Sequence, residues 1–118
     1  MRPQVLDKAE NFGVRVTNAY KYLTSIKHET VLSKQLLRSG TAISALIAEA
    51  QYAQSRADFV SKYQIALKEA NESRNWINLL YRSQIIDEAT YQSIYDDANQ
   101  LVMIISKIVR TTKQNNNK

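Results

Sequence analysis

The segment Gln35–Ala50, QLLRSGTAISALIAEA, constrains the fold more than any other stretch, because it carries two apolar stripes on one helical period. Leu32, Leu36, Gly40, Ile43, Ile47 and Ala50 recur at the three-to-four spacing of a core-facing helix. Ser39, Ala42 and Leu46 form a second, weaker set beside them. A helix that needs cover on two sides belongs in a bundle that also self-associates.

The remaining sequence supplies the partners for that helix. Two glycines, Gly13 and Gly40, and one proline, Pro3, are too few for the turns of a sheet protein of 118 residues. Four helices account for the apolar spacing: about Val5 to Leu23, Val31 to Tyr52, Ser55 to Tyr81 and Glu88 to Thr112. Pro3 suits a helix start, Ser55 with Asp58 reads as a capping box, and Asp87 reads as the cap of the fourth helix. Asp87 and Glu88 at its start and Lys107, Arg110 and Lys113 toward its end complement the helix dipole. Short links, Thr24–Thr30 and Arg82–Ile86, imply antiparallel neighbours, so the expected fold is an all-α, up-and-down four-helix bundle. Residues 1–112 form its single domain, and 113–118, KQNNNK, read as a polar, disordered tail.

Most enzyme chemistry lacks its residues. Without cysteine there is no disulfide, thiolate nucleophile or cysteine zinc site, which suits a reducing compartment. Glu69 and Glu72, with Glu49 on the neighbouring helix, suggest a carboxylate metal centre, but a bundle di-iron site also needs Glu-x-x-His pairs. The lone histidine, His28, falls in a link beside Thr24, Ser25 and Glu29 and completes no triad. Glu69 and Glu72 are better read as partners of Arg38, Lys62 or Lys68, or as solvated groups. No cofactor is expected. The longest apolar run, Leu101–Ile105, cannot span a bilayer, and no apolar leader follows the first residues. A cytoplasmic protein without membrane attachment is the expectation.

A net charge of +5 leaves nucleic acid as the functional reading with most content. Lys8 and Arg15 share a face of the first helix, and Lys107, Arg110 and Lys113, helped by Lys118, continue a basic edge on the fourth. Antiparallel packing is expected to bring that edge close to Lys8, giving a patch for phosphate contacts with little sequence readout. Seven tyrosines could stack on unpaired bases. Those near helix ends, Tyr52 and Tyr81 among them, more simply bury the ring and leave the hydroxyl in water. Arg38, Ser39, Ala42, Leu46, Glu49 and Trp76 are the expected contacts beyond the monomer core, with Arg38 and Glu49 each reaching a neighbouring helix or subunit. The competing reading is a purely protein–protein module whose charge maintains solubility.

The run from Gln35 to Ala50 also resembles the four-helix-bundle proteins named for reading frames inside intervening sequences of bacterial 23S ribosomal RNA genes, sometimes called S23 ribosomal proteins. Gln35, Leu36 and Arg38, the small Ser39 and Gly40, then Ile43 and Ile47-Ala48-Glu49 carry the likeness. Asp58-Phe59, Ile65-Ala66, Glu69-Ala70, Glu72-Ser73, Trp76 and Leu79-Leu80 extend it along the third helix. The family Asn is Leu46 here, which removes a polar side chain able to cross-link helices or touch a ligand. The family Gly is Ala50, which predicts a second helix that continues further before turning. The resemblance implies a four-helix bundle that assembles as a cyclic homopentamer. Through the related accessory variability proteins of diversity-generating retroelements, it also implies binding to nucleic acid and to a reverse transcriptase.

Overall fold

A computed structural model describes residues 2–116, with side chains through Gln114. Four helices follow in order: α1 Gln4–Ser25, α2 Leu32–Ala50, α3 Arg56–Arg82 and α4 Glu88–Asn116. They stand antiparallel in a rod of 51 × 21 × 21 Å. Among the described residues there is no strand.

Each helix start has a chemical cause. Pro3 precedes α1, its carbonyl accepting from the Leu6 amide at 3.1 Å, and Arg2 ties down Asp7 and Glu10. Ser55 Oγ accepts from the Asp58 amide at 3.0 Å as expected of the cap, while the Asp58 carboxylate accepts from the Gln54 amide, one residue before the amide a capping box would use. Asp87 accepts from the Thr90 amide at 2.8 Å, which holds its carboxyl below the ordinary range. The α2 start uses a device the sequence does not advertise. Both oxygens of Glu29 serve it, accepting from the amides of Val31, Leu32 and Ser33 at 2.9, 2.6 and 2.9 Å. Partial burial pushes the Glu29 carboxyl up, but these bonds outweigh that effect and hold it below its usual value.

The helix ends at the opposite pole from the α2–α3 turn close without glycine. His28 at φ 56° and Gln84 at φ 63° take the left-handed region after α1 and α3, letting the Glu29 amide reach Leu23 O and the Ile85 amide reach Leu80 O. Three helix ends differ from the sequence reading by two residues or more, the first being α1, which runs to Ser25 and not Leu23. α2 stops at Ala50, not Tyr52, because Gln51, Tyr52 and Ala53 tighten into three-residue turns onto Ala48, Glu49 and Ala50. α4 runs on to Asn116, through most of the segment read as a tail; Asn117 and Lys118 lie outside the described residues.

The core follows the predicted faces: Leu6, Ala9, Phe12, Val16 and Leu23; Leu36, Ile43, Ile47 and Ala50; Tyr63, Ala66, Ala70, Ile77 and Leu80; Ile94, Ala98, Leu101, Ile105 and Val109. Small residues set the helix separations. Gly40 lies against Val16 at the α1–α2 crossing, and the fully buried Ser39 and Ser73 share a 2.9 Å hydrogen bond between α2 and α3. The seams α1–α2, α2–α3 and α3–α4 are long and close, whereas α1 and α4 meet over much less of their length.

Candidate nucleic-acid interface

Most carboxylates have structural work, and this decides where positive charge is left over. Six of the eleven pair with four bases: Asp7 and Glu10 with Arg2, Asp97 with Arg15, Glu69 and Glu72 with Arg38, and Glu49 with Lys62. Glu29, Asp58 and Asp87 cap helices. Glu88 and Asp96 remain, and exposed Lys and Arg without an ion pair among the described residues outnumber them.

The five sequence-predicted cations divide into two groups. Arg15 spans the thin α1–α4 seam, giving Nη1 to Asp97 at 2.7 Å and Nη2 to Ser93 at 2.8 Å. Lys8 donates to Gln100 Oε1 at 3.3 Å on the same seam. Both fasten helices. Lys107, Arg110 and Lys113 are exposed on the outer face of the last turns of α4, and no side-chain hydrogen bond or ion pair holds them among the described residues.

This edge continues along α4 past the level of Lys8 toward the start of α1. Lys8 meets Gln100, seven residues before Lys107 and so about 10 Å back along the helix axis. Arg110 and Lys113 stand further out, beyond the start of α1. The α3–α4 register is set by Arg74 on Asn99 at 2.8 Å and by Tyr81 stacked on Tyr91 at 4.3 Å. Continued along the bundle, it puts Lys113 opposite the first turn of α3, where Arg56 is also exposed. Arg56 is absent from the five cations expected from sequence, and its place beside an interhelical turn is the signal that points to it.

The expected contacts beyond the core are likewise sorted. Arg38 reaches α3 within the same chain, holding Glu69 at 3.2 Å and Glu72 at 2.7 Å, and Glu49 reaches Lys62 at 3.6 Å. Burial raises the Glu69 carboxyl despite Arg38, whereas the Arg38 hydrogen bond lowers that of Glu72. Ser39 is removed from the set: it is sealed between α2 and α3 against Ser73 and has no surface to offer another subunit. Ala42, Leu46 and Trp76 are half-buried, with the indole Nε1 of Trp76 buried and without a hydrogen-bond partner among the described residues.

The tyrosines are unequal. Tyr81 stacks on Tyr91, which meets Tyr95 at a tilt, and Tyr63 is buried beside Phe59. Tyr52, expected to bury its ring, is instead 88% exposed on the α2–α3 turn. At the opposite pole an open groove of about 1040 Å³ lies between α1 and α4. Lys27 and Arg15 share its rim with Asp87 and Glu88, so it has no single sign of charge. Among the described residues no group of three or more His, Asp or Glu side chains is placed to hold a metal ion, and no helix is long and apolar enough to cross a membrane.

Comparisons with known proteins agree with this architecture. The family model for the 23S rRNA-intervening sequence protein matches residues 2–107. A crystal structure of a protein of unknown function from the S23 ribosomal protein family of Bacteroides thetaiotaomicron is 48% identical. It covers 89% of this chain and 97% of its own, with a TM-score of 0.88. No curated protein matches.

Proposed function

Given that this chain belongs to the 23S rRNA-intervening sequence protein family, we propose that it is a non-enzymatic, self-associating helical scaffold that engages the phosphate backbone of nucleic acid through the C-terminal turns of α4. The observation that carries this reading is the ridge of Lys107, Arg110 and Lys113, exposed and without acidic partners among the described residues, while most carboxylates are occupied elsewhere. Lys107 and Lys113 are point charges for phosphates, and the Arg110 guanidinium can hold a phosphate two-pronged. Binding through this ridge is therefore sensitive to salt and needs no base contact. Self-association would multiply the ridge around the assembly. The half-buried Ala42, Leu46 and Trp76, along the α2–α3 edge, support an additional contact there.

The test is a titration of labelled structured RNA and of duplex DNA across a salt series, with particle mass recorded in the same buffers. Binding should weaken steeply with salt, and Lys107→Glu with Arg110→Glu should abolish it without changing the mass. An assembled particle that binds neither these probes nor an unpaired RNA at low salt would leave the molecule as a protein–protein module.

A further inference from the structure

We propose that the nucleic acid taken by this surface is single-stranded, and that Tyr52 provides the stacking platform for an unpaired base. The inference rests on the reading of the α4 ridge as a phosphate contact and adds the class of strand. Three observations meet at one pole of the bundle. The α2–α3 turn presents Tyr52 at 88% exposure, the most exposed large apolar side chain among the described residues. Arg56, four residues on, opens α3 at the same pole and is exposed. The register of α3 against α4, fixed by Arg74 on Asn99 and Tyr81 on Tyr91, brings Lys113 and Arg110 level with the beginning of α3.

The chemistry of this pole is that of a single-strand site. Cations follow the backbone while an aromatic ring accepts the flat face of a base, and the combination tolerates any sequence because every base has such a face. A paired base offers its face only to its neighbours in the stack, so a lone ring on a turn gains nothing from a continuous duplex. Folding does not explain the position of Tyr52 either. Tyr63 and Tyr91 pack against aromatic or core neighbours, whereas Tyr52 leaves its ring in water. Neighbouring Gln51 and Gln54 are exposed and add neutral donors and acceptors without repelling phosphate.

The experiment compares a labelled oligouridylate of about 15 nucleotides with an RNA duplex of similar length, using the full chain and its Tyr52→Ala, Tyr52→Phe and Lys107→Glu/Arg110→Glu variants. Because Tyr52 is exposed, its replacement leaves the fold intact, which circular dichroism checks. Tyr52→Ala should weaken single-strand binding about tenfold, with the salt slope and duplex affinity unchanged, and Tyr52→Phe should retain wild-type affinity. The charge reversal should weaken both probes. The wild-type chain should bind the oligouridylate more tightly than the duplex, and equal or tighter duplex binding overturns the single-strand assignment. If Tyr52→Ala leaves single-strand affinity unchanged, or lowers both affinities alike, the stacking assignment is overturned while the phosphate ridge stands. If the wild-type chain binds neither probe, the ridge reading fails and this inference goes with it.

Discussion

Gly40 meets Val16 so closely that a methyl group on Gly40 would lie 2.7 Å from Val16 Cγ2 and 3.0 Å from Cγ1. Valine in a helix has essentially one rotamer, so it cannot swing aside, and the two helices would have to part. Alanine would by itself favour the helix by about 1 kcal/mol over glycine, against an overpacking cost of about 1–3 kcal/mol. Gly40→Ala should therefore destabilise by about 1 kcal/mol in urea melts. In a Val16→Ala background the same change should be neutral or stabilising; equal costs in both backgrounds would mean that the crossing is not set by this contact.

Ser39 and Ser73 form a sealed hydroxyl pair, and their value lies in each satisfying the other. Removing one leaves its partner short of a hydrogen bond at a cost of about 1 kcal/mol, whereas Ser39→Ala with Ser73→Ala removes both polar groups. The double variant should be no less stable than either single one. Additive losses in a double-mutant cycle would contradict mutual satisfaction.

Glu29 makes the stability of the α2 start depend on pH with a definite sign. Its folded carboxyl lies below the unfolded value of about 4.3, so its contribution is fully present above that value and disappears as pH falls through the lower, folded one. Glu29→Ala should cost about 1 kcal/mol at neutral pH. The gap between wild type and variant should close on acidification below about pH 4. A gap that persists unchanged at low pH would assign the loss to packing and not to the carboxylate.

Arg15 separates structural cations from available ones. Its pair with Asp97 is about two-fifths exposed on both sides, so solvent and salt screen it and Arg15→Ala should cost under about 1 kcal/mol. Nucleic-acid affinity should barely change, in contrast to reversal at Lys107 and Arg110. A loss in Arg15→Ala as large as in the ridge variant would return Arg15 to the binding surface.

The apolar faces were legible because burial on a helix repeats every three to four residues, and residues such as Ile43, Ile47, Ile77 and Leu101 could occupy only the core. Ser39 was misplaced because periodicity sees a small residue beside the main stripe and cannot tell an inter-subunit edge from a sealed α2–α3 crossing. Glu29 was invisible as a cap because its role depends on a backbone excursion through His28 at positive φ, which no composition rule demands of histidine. Half the basic patch was legible. Lys107, Arg110 and Lys113 follow from one helix period, but Arg15 and Lys8 are consumed by Asp97 and Gln100 across a seam whose register spacing cannot supply. Tyr52 was judged by what tyrosines near helix ends usually do, and early termination of α2 at Ala50 is what puts it outside.

The short α1–α4 contact gives the molecule an order of failure. Three seams close on apolar side chains along their length, while the fourth is latched by Arg15 and Lys8 through groups that water can replace. Thermal fluctuations will unlatch that side first, with α2 and α3 acting as the spine of the opened form. Amide exchange at the α1–α4 margin will then outpace exchange in α2 and α3, and raised salt will speed it by loosening the Arg15 latch while leaving the spine unmoved.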